Sequence, residues 1–64
     1  MVYNMKTIIN IFNSLTNLYN WEVKRFDIQA FYNEEQIIGY AGYVFLKDGK
    51  ELTIYDDGCI KERG

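Results

Sequence analysis

The stretch 37–47 reads Ile-Ile-Gly-Tyr-Ala-Gly-Tyr-Val-Phe-Leu-Lys, and it limits the fold more tightly than any other part of the chain. A strand sends alternate side chains to opposite faces. One face of this strand would carry Ile37, Gly39, Ala41, Tyr43 and Phe45, and the other Ile38, Tyr40, Gly42, Val44 and Leu46. Both sets are largely apolar, so both faces call for cover. A chain of 64 residues has room for a single domain, 1–64, and offers one helix, which covers one face. The face left over is the first place to look for a function.

The helix is expected over 5–19. Met5, Ile8, Ile9, Phe12, Leu15 and Tyr19 recur at spacings of three and four, with Ile11 and Leu18 alongside. Asn4 is positioned to cap its start and Asn20 to end it in a left-handed turn. Lys6, Asn10, Asn13, Ser14 and Asn17 fall on the other side. Asparagine is a poor helix former, so this helix depends on what it packs against.

Two hairpins set the expected register. The first strand, 22–32, alternates Phe26, Ile28, Ala30 and Tyr32 with Arg25, Asp27, Gln29 and Phe31. A turn within 33–36, with Glu34-Glu35 at its tip, places Ala30 opposite Gly39, Ile28 opposite Ala41 and Phe26 opposite Tyr43. Asp48-Gly49 is a two-residue hairpin signal, which places Phe45 opposite Leu52 and Tyr43 opposite Ile54. The two hairpins agree on a core face of Phe26, Ile28, Ala30, Tyr32, Ile37, Gly39, Ala41, Tyr43, Phe45, Leu52 and Ile54. Gly39 and Ala41 would let the helix lie close, with Phe12 and Leu15 above. Asp56-Asp57-Gly58 turns the chain again, and 59–62 is either a short fourth strand or a trailing end. The expected fold is α+β, one N-terminal helix packed on a three-stranded antiparallel meander with that optional fourth strand.

On this register the second face carries Val23, Arg25, Asp27, Gln29 and Phe31, then Ile38, Tyr40, Val44 and Leu46, then Glu51, Thr53 and Tyr55. Phe31, Ile38, Tyr40, Val44 and Tyr55 are its candidate partner-binding residues, because apolar and aromatic patches of this kind mark interaction sites. The acidic turns Glu34-Glu35 and Asp56-Asp57 are the alternative contact sites. Stacking two such faces in a homodimer would give a small sandwich.

Catalytic chemistry finds little material. The chain has no histidine and one cysteine, Cys59, so a hydroxyl or thiol nucleophile lacks its usual base and the common zinc sets cannot be assembled. Asp56-Asp57-Gly58 lacks the ladder of oxygen ligands of a calcium loop. No phosphate-cradling glycine loop occurs. No enzyme, cofactor or metal is expected. A net charge of −2 argues against nucleic-acid binding, which rests on Lys and Arg. A single-strand binder stacking bases on Phe31, Tyr40 and Tyr55 is the one variant of that reading. A lone cysteine fits a reducing, cytoplasmic setting, and no run is long enough to span a membrane.

In size, slight acidity and richness in Asn, Ile, Tyr and Lys, the whole chain resembles small proteins encoded by phages and mobile elements of AT-rich bacteria, anti-CRISPR proteins among them. The resemblance is one of class, without a shared motif, and it implies an intracellular inhibitor that blocks a host enzyme's surface. The expectation is therefore a non-catalytic protein-binding module, most specifically a stoichiometric inhibitor of a host defence or nucleic-acid enzyme. The alternative is a structural or regulatory homodimer.

Overall fold

The computed structural model describes residues 5–63. One helix, α1 (Met5–Tyr19), precedes four strands: β1 (Val23–Asn33), β2 (Gln36–Leu46), β3 (Glu51–Tyr55) and β4 (Ile60–Arg63). The strands form one antiparallel sheet in the order β1-β2-β3-β4. This is the expected α+β meander, and the C-terminal residues do add a short fourth strand. The expected cap at Asn4 and the lead-in 1–4 lie outside the described residues. At the other end of α1, Asn20 takes φ 52°, the left-handed stop expected of it.

The inward stripe of α1 is narrower than its spacing suggests. Ile8 is fully buried, and Ile11 and Phe12 pack against the core. Met5, Ile9, Leu18 and Tyr19 are exposed, as are Asn10, Asn13, Ser14 and Asn17. The ring of Phe12 stacks flat on Phe26 of β1, with centroids 3.9 Å apart.

The register of β2 differs from the expected one. Near the first turn, Tyr32 does pair with Ile37. The next pair is Phe31 with Gly39, so Ile38 is an extra residue in β2, a β-bulge. From there Ala30 pairs with Tyr40, Ile28 with Gly42 and Phe26 with Val44. On the other side, Val44 pairs with Leu52 and Gly42 with Ile54. A one-residue slip turns a strand over. The face of β2 beneath the helix is therefore Tyr40, Gly42, Val44 and Leu46, not Gly39, Ala41, Tyr43 and Phe45. A second irregularity in β1, at Lys24, brings Val23 onto that same side, opposite Leu46.

The second slip has its cause in the turn. Leu46 N–H donates to the Lys50 carbonyl at 2.9 Å, and Gly49 N–H donates to the Leu46 carbonyl at 3.1 Å. The loop thus has three residues, Lys47, Asp48 and Gly49. Only Gly49 has positive φ, at 95°, which is the type I turn with a following left-handed glycine. Asp48 Oδ1 accepts a hydrogen bond from Lys50 N–H at 2.9 Å. The β3–β4 turn repeats the pattern: Tyr55 pairs with Cys59, Gly58 takes φ 94°, and Asp57 Oδ1 accepts from Cys59 N–H. The first turn is the true two-residue loop. Glu34 and Glu35 both take positive φ, 51° and 70°, as a type I′ turn demands.

The core consists of Ile8, Val44, Leu46, Leu52 and Ile54, ringed by Trp21, Val23, Phe26, Ile28 and Tyr40 among others. Gly42 lies at its centre. A Cβ there would stand 2.5 Å from Ile8 Cγ2 and 2.9 Å from Phe26 Cε1, so the helix can approach only because that side chain is missing. Burying an aliphatic side chain contributes about 1.5–3 kcal/mol. A core this small rests on few such residues.

Candidate functional site

The uncovered face of the sheet is a grid of cross-strand rows. The first row runs Arg25, Phe45, Glu51, Arg63 and the second Asp27, Tyr43, Thr53, Lys61. The third is Gln29, Ala41, Tyr55, and Phe31 with Gly39 completes it. The only helix among the described residues lies on the opposite side. Ala41 and Thr53 are nevertheless buried. Tyr43, Phe45 and Tyr55 are half-buried, and Phe31 is 40% exposed.

Cations lie on two of the rings. The Arg25 guanidinium stands 4.7 Å from the Phe45 centroid, and Lys61 Nζ stands 5.9 Å from that of Tyr55. Both distances suit cation–π attraction. Arg25 Nε also meets Asp27 Oδ2 at 2.6 Å, which fixes the guanidinium on the surface; being exposed, the pair adds little to stability. The face is an aromatic centre with charged margins.

The acidic turns share one end of the molecule. In an antiparallel meander β1 and β3 run the same way, so Glu34-Glu35 after β1 and Asp56-Asp57 after β3 sit at the same edge of the sheet. No Lys or Arg occurs between Arg25 and Lys47, or between Lys50 and Lys61. That end is accordingly the acidic one. The β1–β2 hairpin projects beyond β3, which ends at Tyr55 opposite Ala41. From Tyr40 to Gln36 the projection is roughly 13 Å at the usual strand rise.

Two of the four carboxylates are engaged in the turn itself. Asp56 Oδ2 accepts a hydrogen bond from Tyr40 N–H at 2.9 Å, standing where the next rung of β3 would be. The bond from Cys59 N–H holds the Asp57 carboxyl below its ordinary value of 3.8. Hydrogen bonding to Asp57 and its negative charge push the Cys59 thiol above its ordinary 9.0, which keeps it protonated and poorly nucleophilic at neutral pH. Glu34 and Glu35 are exposed at the hairpin tip.

Of the residues expected on the second face, Phe31 and Tyr55 are there, with Arg25, Asp27, Gln29, Glu51 and Thr53. Tyr40, Val44, Leu46 and Val23 are not. Val44 is fully buried under α1, Leu46 is in the core, and Tyr40 and Val23 pack against it. Ile38 is the bulge residue, 46% exposed. Opposite β1, Phe45, Ala41 and Gly39 take the places assigned to Val44, Tyr40 and Ile38, and Tyr43 takes that of Gly42. At the far end from the acidic turns, a cleft of about 430 Å³ lies among Tyr19, Trp21, Leu46 and Leu52, rimmed by Asp48, Lys50 and Glu62. The sequence had not marked it.

Among the described residues no three Cys, Asp or Glu side chains gather where they could share a metal ion. Among the described residues no helix is long and apolar enough to cross a membrane. Compared with protein-family models, with curated proteins and with solved structures, the chain finds no match.

Proposed function

We propose that this chain is a non-catalytic protein-binding module that offers the open face of its sheet to a partner protein. The observation that carries the reading is the one-sided position of α1, which leaves Phe31, Tyr43, Phe45 and Tyr55 together on the other side. Aromatic side chains supply large contact area at low entropic cost, and such residues dominate binding energy at interface centres. In its narrower form the proposal is a stoichiometric inhibitor of a nucleic-acid enzyme, whose basic groove would receive the acidic end. The stretch without Lys or Arg around Glu34-Glu35 supports that form, since complementary charge steers association.

The test is affinity capture with the wild-type chain and two variants whose folding is checked by circular dichroism. Tyr43→Ala with Tyr55→Ala should lose the captured partner. Glu34→Lys with Glu35→Lys should slow association and reduce its salt dependence. A partner held equally well by both variants would overturn the proposal.

A further inference from the structure

The two edges of the sheet are built differently. β4 has four residues, and three of them, Lys61, Glu62 and Arg63, are charged. Short length and charge are the usual ways of keeping an edge from pairing. β1 is the other edge and has eleven residues. Its charges, Lys24, Arg25 and Asp27, and its irregularity at Lys24 are all in its first half. From Ile28 to Asn33 it carries no charge and no proline.

The ladder parity tells which groups this edge offers. Leu46 and Tyr40 direct their N–H groups towards β3 and the turn after it. Backbone groups alternate in direction along a strand, so the odd-numbered residues of β2 face β1. Their partners in β1 are Arg25, Asp27, Gln29 and Phe31. Phe26, Ile28 and Ala30 therefore turn their N–H and C=O groups outward, away from the sheet.

The ends of β1 are opposite in charge: Lys24-Arg25 at its start and Glu34-Glu35 just past its end. We infer that two copies of this chain pair antiparallel through β1, about a two-fold axis at Gln29. That register sets Ile28 opposite Ala30 and Phe26 opposite Tyr32, which is 64% exposed in the single chain. It brings Lys24 of each copy to Glu34 of the other. A parallel alignment would instead set like charges side by side. The product is a continuous eight-stranded sheet with both helices on one side, leaving the aromatic faces of both copies open. The inference uses the edge and not the aromatic face, so Tyr43→Ala with Tyr55→Ala, which should leave the dimer intact, separates it from the proposed function; Glu34-Glu35 alone is common to both.

Sedimentation equilibrium from about 1 μM to about 1 mM covers the range expected of a small edge contact. The wild-type chain should pass from monomer to dimer within it. Ala30→Pro removes an outward N–H that an edge strand can spare, and should weaken the dimer at least ten-fold while keeping the wild-type circular dichroism spectrum. Lys24→Glu with Arg25→Glu should be monomeric alone, as should Glu34→Lys with Glu35→Lys. Mixed together, the two charge variants should form a heterodimer, since each restores the other's complement. A wild-type chain that stays monomeric, or a dimer indifferent to both the proline and the charge variants, would overturn the inference.

Discussion

The two faces of β2 contain similar residues and do different work. On one side Tyr40, Gly42, Val44 and Leu46 lie under α1, and the missing side chain of Gly42 admits Ile8. On the other side Gly39, Ala41, Tyr43 and Phe45 lie among charged neighbours, with no helix of the described residues over them. Hydrophobicity alone does not distinguish these faces. What distinguishes them is shape: a hollow that fits a helix on one side, and rings with cations laid over them on the other. In a strand apolar on both sides, the position of the small residue is the better guide to where a helix will sit.

That contrast can be broken from the covered side first. Ile8→Ala should cost about 2–5 kcal/mol, the range for emptying a buried aliphatic site, read from urea denaturation. Gly42→Ala should cost about 1–3 kcal/mol by overpacking against Ile8 and Phe26; Gly39→Ala, on the open face, should cost less. The hairpin tip should respond in the opposite sense. Glu34 and Glu35 both hold left-handed backbone, which costs about 1–2 kcal/mol for an ordinary residue. Replacing them with Asn-Gly, the pair suited to this turn, should raise the melting temperature. On the open face, Tyr43→Ala should change stability by about 1 kcal/mol or less, while removing a central contact for a partner.

The smallest effect concerns pH. The Asp57 carboxyl is held below its ordinary value by the Cys59 N–H. Its contribution to the β3–β4 turn is thus present above pH 3.8 and lost as pH falls through the lowered value. Amide exchange at Cys59 should speed up there, and in Asp57→Asn that added pH dependence should disappear.

Much of the architecture was readable in the sequence. The helix over 5–19, its stop at Asn20, the left-handed Gly49, the strand order and the inward sides of β1 and β3 follow from spacing and turn chemistry. The side of β2 was not readable, for a physical reason. Its two faces are equally apolar, so only the turns and bulges could set its register: the Asp48-Gly49 loop is one residue longer than expected, and the first loop is as expected but is followed by a bulge. Asp48-Gly49 serves two-residue and three-residue hairpins alike, differing in whether Asp48 also turns left-handed. The bulge at Ile38 has only Gly39 beside it as a sign, and a strand glycine reads equally as a bulge or as room for a helix. Both slips turned β2 the same way, so the two hairpins agreed with each other on the wrong face. Gly42 carried the one usable signal, since only there would a small residue lie between Ile28 and Ile54. Phe31, Tyr55 and the acidic turns survived as candidates because their strands and turns did not depend on β2.

The face assignment can be tested directly with thiol labelling. Cys59→Ser removes the only cysteine, and single cysteines are then placed at Val44 and at Tyr43. Under native conditions Tyr43→Cys should react with a maleimide at close to the rate of an exposed thiol, and Val44→Cys only as fast as the protein unfolds. Rapid labelling at Val44 with protection at Tyr43 would put the helix on the other face and contradict the account.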